Sequence, residues 1–265
     1  MKADSLEYLT VRRQYEGFEF FFSPQCPEQD KIMALASGKL EPEAYLRQGR
    51  RRNVLRMGGI IMKLYFFHSL SDIIHSRRYG HREVECHHDY LKAFGNEKGF
   101  RLPQLLGYFE KPLLGPFQTA NGIICEYIPN ARKLEQSEIT RAVPLFAHLY
   151  RKGIYHPDMN YGNVLYQAQD DLIIPLDYMG CNFLSAPNWE ALLIEASRFL
   201  ATGKIDEKNG MAFLAKLLEQ LPDVPLSPEK AWEGIKLIKE LHPTTHQYRH
   251  PVFLPKSISD SLLRT

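Results

Sequence analysis

The 265-residue chain has no run approaching the roughly 20 apolar residues that a spanning helix requires, so no membrane crossing is expected. Its start, Met1 to Glu7, lacks the apolar core of a secretory signal, which points to the cytoplasm. The four cysteines, Cys26, Cys86, Cys125 and Cys181, are dispersed without a C-x-x-C pair or metal-type spacing, so reduced, mostly buried thiols are expected in place of a redox or zinc site. Internal repeats and low-complexity segments are also missing. A net charge of +2 says little by itself, and no nucleic-acid partner is expected.

What is present is ordinary globular composition, 44% hydrophobic and 24% charged, in a chain long enough for one large domain or two lobes. Positive charge is concentrated in the first third, at Arg47, Arg50, Arg51 and Arg52 and again at Arg77, Arg78, His81 and Arg82. Such clusters are either solvated faces or attractors of an anionic ligand or membrane surface.

Residues 1–43 hold an aromatic run, Phe18 to Phe22, and a short helix from Glu28 to Ser37, an accessory strand and helix before the main domain. From 44 to 128 the pattern is that of a small lobe. A three-strand meander is expected over Ala44 to Gln48, Asn53 to Arg56 and Ile60 to Phe67, then a helix near 80–94 closed by Gly95. Two further strands, Leu105 to Glu110 and Ile123 to Tyr127, flank a Pro/Gly-containing loop, giving five strands and one helix. From 129 to 265 the chain turns helical. A helix from Ile139 to Lys152 is followed by a hairpin through Val164 to Gln167 and Leu172 to Leu176. Helices are expected over Trp189 to Ala201, Gly210 to Gln220 and Ser227 to Leu241, then an irregular tail from Pro243.

The strongest chemical signal is His156-Pro157-Asp158-Met159-Asn160-Tyr161-Gly162-Asn163, the H-x-D-x-x-x-x-N arrangement of a kinase catalytic loop. In such a loop the aspartate accepts the proton of the attacking hydroxyl and the asparagine holds magnesium. Asp177, at the end of the apolar run Leu172 to Leu176, stands where the principal magnesium ligand belongs. His156 is expected to support the loop. A lysine for the α/β-phosphates is available in Lys63 on the third strand of the meander. Glu83 is preferred over Glu85 as its helix partner, because Cys86, His87, Tyr90 and Leu91 then share its face. The expected fold is therefore α+β, the two-lobed protein-kinase-like fold with a small β-rich N-lobe and a mainly helical C-lobe, using ATP and Mg2+. The usual glycine-rich loop is missing: Gly49 alone, followed by Arg50, is left to approach phosphates, with guanidinium groups compensating. Glu126 and Ile128 fall at the hinge that would read the adenine edge.

The stretch from Gly153 to Tyr166, with Lys63, Glu83 and Asp177 in order around it, resembles the bacterial lipopolysaccharide core kinases, the Kdo (3-deoxy-D-manno-octulosonic acid) and heptose kinases. The resemblance covers roughly residues 45–180. It departs at Asp177-Tyr178-Met179-Gly180, where the family's second acid is absent. It implies transfer of the ATP γ-phosphate to a sugar hydroxyl of a lipid A-core acceptor, at the cytoplasmic face of the inner membrane, where the arginine clusters would meet anionic lipid or saccharide. No A-P-E motif follows Asp177, and the chain enters a helix soon after Pro187, leaving little platform for a peptide substrate. Three alternatives stay open: a small-molecule kinase of the aminoglycoside or choline type, with Glu190 and Glu195 as acceptor-binding acids; an effector-type protein kinase; and a catalytically dead scaffold.

Overall fold

A computed structural model describes residues 8–76, 80–95, 97–114, 117–178, 180–241, 254 and 256–263, with the backbone alone at 81, 241 and 257. The chain divides into two compact units, residues 1–92 with 103–129 and residues 93–102 with 130–265.

The first unit is built on β1 (Val11–Tyr15), β2 (Phe18–Phe22), α1 (Gln29–Ala36), β3 (Ala44–Arg47), β4 (Arg52–Met57), β5 (Ile60–Phe66), α2 (Leu70–Ile74), α3 (Gly80–Phe94, its last two residues in the second unit), β6 (Leu105–Leu114) and β7 (Phe117–Glu126). Its strands form one antiparallel sheet in the order β1-β2-β6-β7-β5-β4-β3. Five strands were expected in this lobe, with a separate accessory strand before them; among the described residues the sheet has seven, because β1 and β2 form a hairpin that pairs onto β6. Left-handed backbone at both Glu16 and Gly17 suits a tight turn matched to strand twist. Phe18, Phe20 and Phe22 then alternate into the core while the polar β1 forms an exposed edge.

The hairpin of β6 and β7 is also longer than expected, each strand running ten residues. Its polar stretch reads as loop in sequence, yet Gln118 and Asn121 are buried. The Asn121 amide donates to Gln118 Oε1 (2.7 Å) and to the Ser76 carbonyl (3.0 Å), and accepts from the Gly80 N–H (3.2 Å), so the network also fixes the entry to α3. Gly122 allows β5 and β7 to approach, since a Cβ there would lie 2.2 Å from the Lys63 carbonyl oxygen.

The two faces of this sheet carry different tasks. Ile60, Met62 and Leu64 of β5 join Leu55, Met57 and the buried side of α1 in an apolar cluster. The alternate residues, Lys63 and Tyr65, turn to the opposite face, where both meet α3 through Glu83.

The second unit contains β8 (Ala131–Lys133), α4 (Val143–Arg151), β9 (Ile154–Tyr155), β10 (Val164–Gln167), β11 (Leu172–Pro175), β12 (Asn182–Phe183), α5 (Trp189–Thr202), α6 (Glu207–Gln220), α7 (Pro228–Leu241) and α8 (Lys256–Leu263). The helix expected from Ile139 is instead a 3-10 segment, Gln136–Ala142, opened by a reciprocal Glu135/Glu138 capping box, and α4 begins at Val143. Pro144 has no N–H to continue the earlier ladder and is tolerated only in a first turn. The tail expected to be irregular includes α8, whose Ile258 and Leu262 are buried four residues apart.

The core of this unit gathers Phe146 of α4, Phe199 of α5 and Phe213 of α6, all fully buried, with ring centroids 5.2 to 5.7 Å apart. Burying each such ring contributes about 2 to 3 kcal/mol. Tyr161, in the loop after β9, packs its ring against Phe199 with centroids 5.4 Å apart, so the loop is fastened to the helical core. All four cysteines are buried thiols, none of them in a disulfide. Among the described residues no helix is long and apolar enough to cross a membrane.

Candidate active site

The chain leaves α4 through Gly153, whose left-handed backbone (φ 63°) turns it into β9, and then enters the loop 156–163. His156 is fully buried and acts as the hub of that loop. Its Nδ1 accepts from the Asp158 N–H (3.3 Å), so the proton sits on Nε2, which donates to the Leu176 carbonyl at 3.1 Å. Burial holds its pKa below the ordinary value, matching a neutral ring, against an opposing pull from the Leu176 hydrogen bond and the Asp158 and Asp177 charges. One imidazole thus joins the backbone of the loop to the residue preceding Asp177.

Asp158 is partly exposed and each of its oxygens accepts a hydrogen bond. Asn160 Nδ2 donates to Oδ1 at 3.3 Å, and Asn163 Nδ2 donates to Oδ2 at 3.4 Å and to the Asp158 carbonyl at 2.8 Å. The Leu176 N–H donates to the Asn163 carbonyl at 2.8 Å, continuing the β10–β11 pairing and bringing Asp177 beside Asn163 in the chain's path. Asp177 adopts φ 62°, a left-handed conformation that aspartate tolerates better than most residues, and this turns the chain out of β11. The structure therefore brings together Asp158, Asn163 and the approach to Asp177.

Helix α5 supplies contacts that the sequence reading missed. Arg198 Nη2 lies 2.6 Å from Asp158 Oδ1, and Nη1 donates to the Pro157 carbonyl. Glu195, read from sequence as an acceptor-binding or surface acid, is buried and accepts the His156 N–H. Burial raises its pKa well above the ordinary carboxylate range, with the His156 hydrogen bond pulling the other way. Glu190 accepts from Ser259 Oγ (2.6 Å) and the Leu254 N–H (3.2 Å), so it anchors the C-terminal segment. The signal in sequence was the spacing of Glu195, Arg198 and Thr202, which places them on one face of a helix.

In the first unit, Lys63 forms an ion pair with Glu83 Oε1, and Tyr65 donates to Glu83 Oε2 at 2.7 Å. Lys63 is 17% exposed and Glu83 1%. Gly49, expected to approach phosphate, donates its N–H to Asn53 Oδ1 (3.1 Å), and Arg50 is exposed with its carbonyl accepting from His68. Arg51 pairs with Asp72 at 3.1 Å. Of the second basic cluster, Arg77 and Arg78 lie outside the described residues, as does the His81 side chain. At the expected hinge, the Glu126 N–H donates to the Gln104 carbonyl (2.9 Å) and the Tyr127 N–H to the Gly59 carbonyl (2.8 Å), while Ile128 is buried.

His87 of α3 is buried beside these residues, donating to the Pro103 carbonyl at 2.8 Å. Burial lowers its pKa to about 3, with the Lys63 charge adding to the effect and the Pro103 hydrogen bond opposing it. The unfolded chain accepts this proton near pH 6.5 and the folded chain does not, so stability falls as pH drops from 6.5 toward 3. His87 contributes up to about 1.4 kcal/mol per pH unit in that window. Urea unfolding of His87→Gln across the same pH range should show a shallower acid slope than the wild type.

A magnesium ion takes hard oxygen donors and few protein ligands. The donor set fits: Asp177 offers a carboxylate, and Asn163, whose amide nitrogen is turned toward Asp158, offers Oδ1. Among the described residues no cluster of three or more His, Cys, Asp or Glu side chains is arranged to hold a metal.

The chain has a two-lobed, protein-kinase-like α+β fold. It is similar to the structure of WaaP in complex with acyl carrier protein, with TM-score 0.53 and 13% identity over 77% of this chain and 90% of that one; at this identity the likeness shows the fold alone. A 2.2 Å structure of WbdD gives TM-score 0.49 and 17% identity over 85% of this chain and 51% of that one, so the chain spans about half of WbdD's length. A choline/ethanolamine kinase family protein from Mesorhizobium loti gives TM-score 0.48 and 12% identity over 89% of this chain and 92% of that one. These last two fall below a TM-score of 0.5 and are too slight to build on. No protein-family model and no curated protein sequence matches the chain.

Proposed function

We propose that the chain is an ATP-dependent phosphotransferase acting on a sugar hydroxyl, Kdo or heptose, of the lipopolysaccharide inner core. The observation that carries the reading is Asp158, held by Asn160 and Asn163 in a loop whose His156 hub reaches the residue before Asp177. A partly exposed carboxylate with both oxygens oriented suits a general base better than a purely structural acid. Asp158 takes the proton of the acceptor hydroxyl as that oxygen bonds to the γ-phosphorus. The bond from the γ-phosphorus to the β,γ-bridging oxygen breaks, and ADP leaves with the electron pair.

Lys63, fixed by Glu83, binds the α/β-phosphates. Asp177 and Asn163 would hold the magnesium, which would supply neutralisation of charge on the phosphate oxygens. Glu126 and Ile128 lie where the adenine edge is read. Gly49 and Arg50 contribute less than the sequence pattern implied, because the Gly49 amide is engaged by Asn53. The sugar acceptor rests on the sequence resemblance and on the short path from Asp177 to α5, which leaves little surface for a peptide. The lipid-linked acceptor implies work at the cytoplasmic face of the inner membrane.

The test is transfer of labelled γ-phosphate from Mg-ATP to truncated lipid A-core acceptors, with choline, an aminoglycoside and a protein mixture in parallel. Labelling of the core acceptor alone is expected. Labelling confined to choline, the aminoglycoside or protein would overturn the assigned acceptor class while keeping the kinase, and no labelling of any would overturn both.

A further inference from the structure

Three side chains on one face of α5 grip the loop 156–163 at successive points. Glu195 accepts the His156 N–H, Arg198 reaches the Pro157 carbonyl and Asp158, and Thr202 Oγ1 accepts the Tyr161 N–H at 2.8 Å. Their spacing of three and then four residues keeps them in one stripe of the helix. Two of these contacts are to backbone alone. Only Arg198 also touches a side chain that carries chemistry.

We propose that Arg198 is a positioning residue that sets the orientation of the Asp158 carboxylate, an inference that rests on the phosphotransferase reading above. Its side chain is almost buried, 9% exposed, while that of Asp158 is 39% exposed. The planar fork spends one N–H on the Pro157 carbonyl and another on Asp158 Oδ1, so backbone and carboxylate are referred to the same rigid group. With Arg198 and Asn160 on Oδ1 and Asn163 on Oδ2, rotation of the carboxylate would break at least one bond. A buried guanidinium without an anion is costly, so the pair is maintained in both directions: the helix needs Asp158 as much as Asp158 needs the helix. Arg198 is too enclosed to bind the acceptor itself. Its effect on transfer therefore passes through Asp158, where misplacement of a reacting group by about 1 Å can cost roughly 10²-fold.

The test compares wild type, Arg198→Ala and Arg198→Lys for steady-state transfer to the acceptor that the wild type labels, with thermal melting of each and with added methylguanidinium or methylammonium. Arg198→Ala is expected to lose about 10²-fold in kcat with the KM for ATP little changed. Methylguanidinium should restore part of that loss and methylammonium should not, because only the planar fork supplies both bonds. Arg198→Lys keeps the charge but not the fork and should stay impaired, which gives a reading even if the alanine variant fails to fold. Wild-type kcat in either variant overturns the proposal. So does a loss that methylguanidinium leaves untouched while it follows the melting temperature, since that is the behaviour of a structural residue. A wild type without transfer overturns the phosphotransferase reading and this role with it, an outcome distinct from an active wild type with an active Arg198→Ala.

Discussion

Asp158→Asn will lower phosphoryl transfer by about 10² to 10⁴-fold while leaving nucleotide binding close to that of the wild type. The asparagine is nearly isosteric and keeps an oxygen for Arg198 and Asn160, but it removes the anion that pairs with the buried guanidinium, so a lowered melting temperature is expected beside the loss of transfer. What it loses is the ability to take a proton from the acceptor hydroxyl. A base that acts on the acceptor has no reason to alter the affinity for ATP, and the loss should therefore fall on kcat and kcat/KM together. Single-turnover transfer and equilibrium binding of a fluorescent nucleotide separate the two quantities. Full activity in Asp158→Asn would remove the general-base assignment. Weakened nucleotide binding would move Asp158 into the phosphate site.

Lys63→Met will destabilise the first unit by about 3 kcal/mol, the lower end of the cost of breaking a buried ion pair by removing one partner. The lower end applies because Lys63 is 17% exposed and so less desolvated than Glu83, at 1%. The methionine fills much the same space on β5, which keeps a cavity from confusing the result, and Tyr65 still donates to Glu83. The remaining carboxylate is buried with too little compensation. Glu83→Gln in the same background should recover part of the loss, because it removes the uncompensated charge, and urea unfolding of the two single variants and the double variant closes the cycle. Additive effects would mean that the pair contributes no coupling. In the proposed reaction the same substitution also weakens nucleotide binding, an effect that Glu83→Gln would not recover.

The order of elements was legible along much of the chain because hydrophobic period is a local property. The meander of β3, β4 and β5, the helix α3, the hairpin of β10 and β11 and the helix α5 all lie within a few residues of their expected positions. The departures have three different causes. Gln118 and Asn121 look like loop residues, yet they sit inside long strands because they satisfy each other and the entry to α3. Pro144 splits an amphipathic run whose period alone predicts one helix. The first hairpin reads as separate from the lobe until β2 is seen to pair with β6.

The sequence by itself determined the two-lobed α+β class, the spacing that sets Asp158, Asn163 and Asp177 around one hairpin, and the apolar strand in which Lys63 needs an acidic partner. Those follow from backbone period, turn chemistry and the cost of burying charge, all readable within about 20 residues. Only the tertiary structure decided that Glu195 is buried under His156 and that Arg198 meets Asp158, contacts spanning 39 and 40 residues. On a helix, an acidic or basic side chain looks the same in sequence whether it faces water or a loop. Which of these it faces depends on where the helix packs, and that is settled by the combined core of α4, α5 and α6 and by no residue alone.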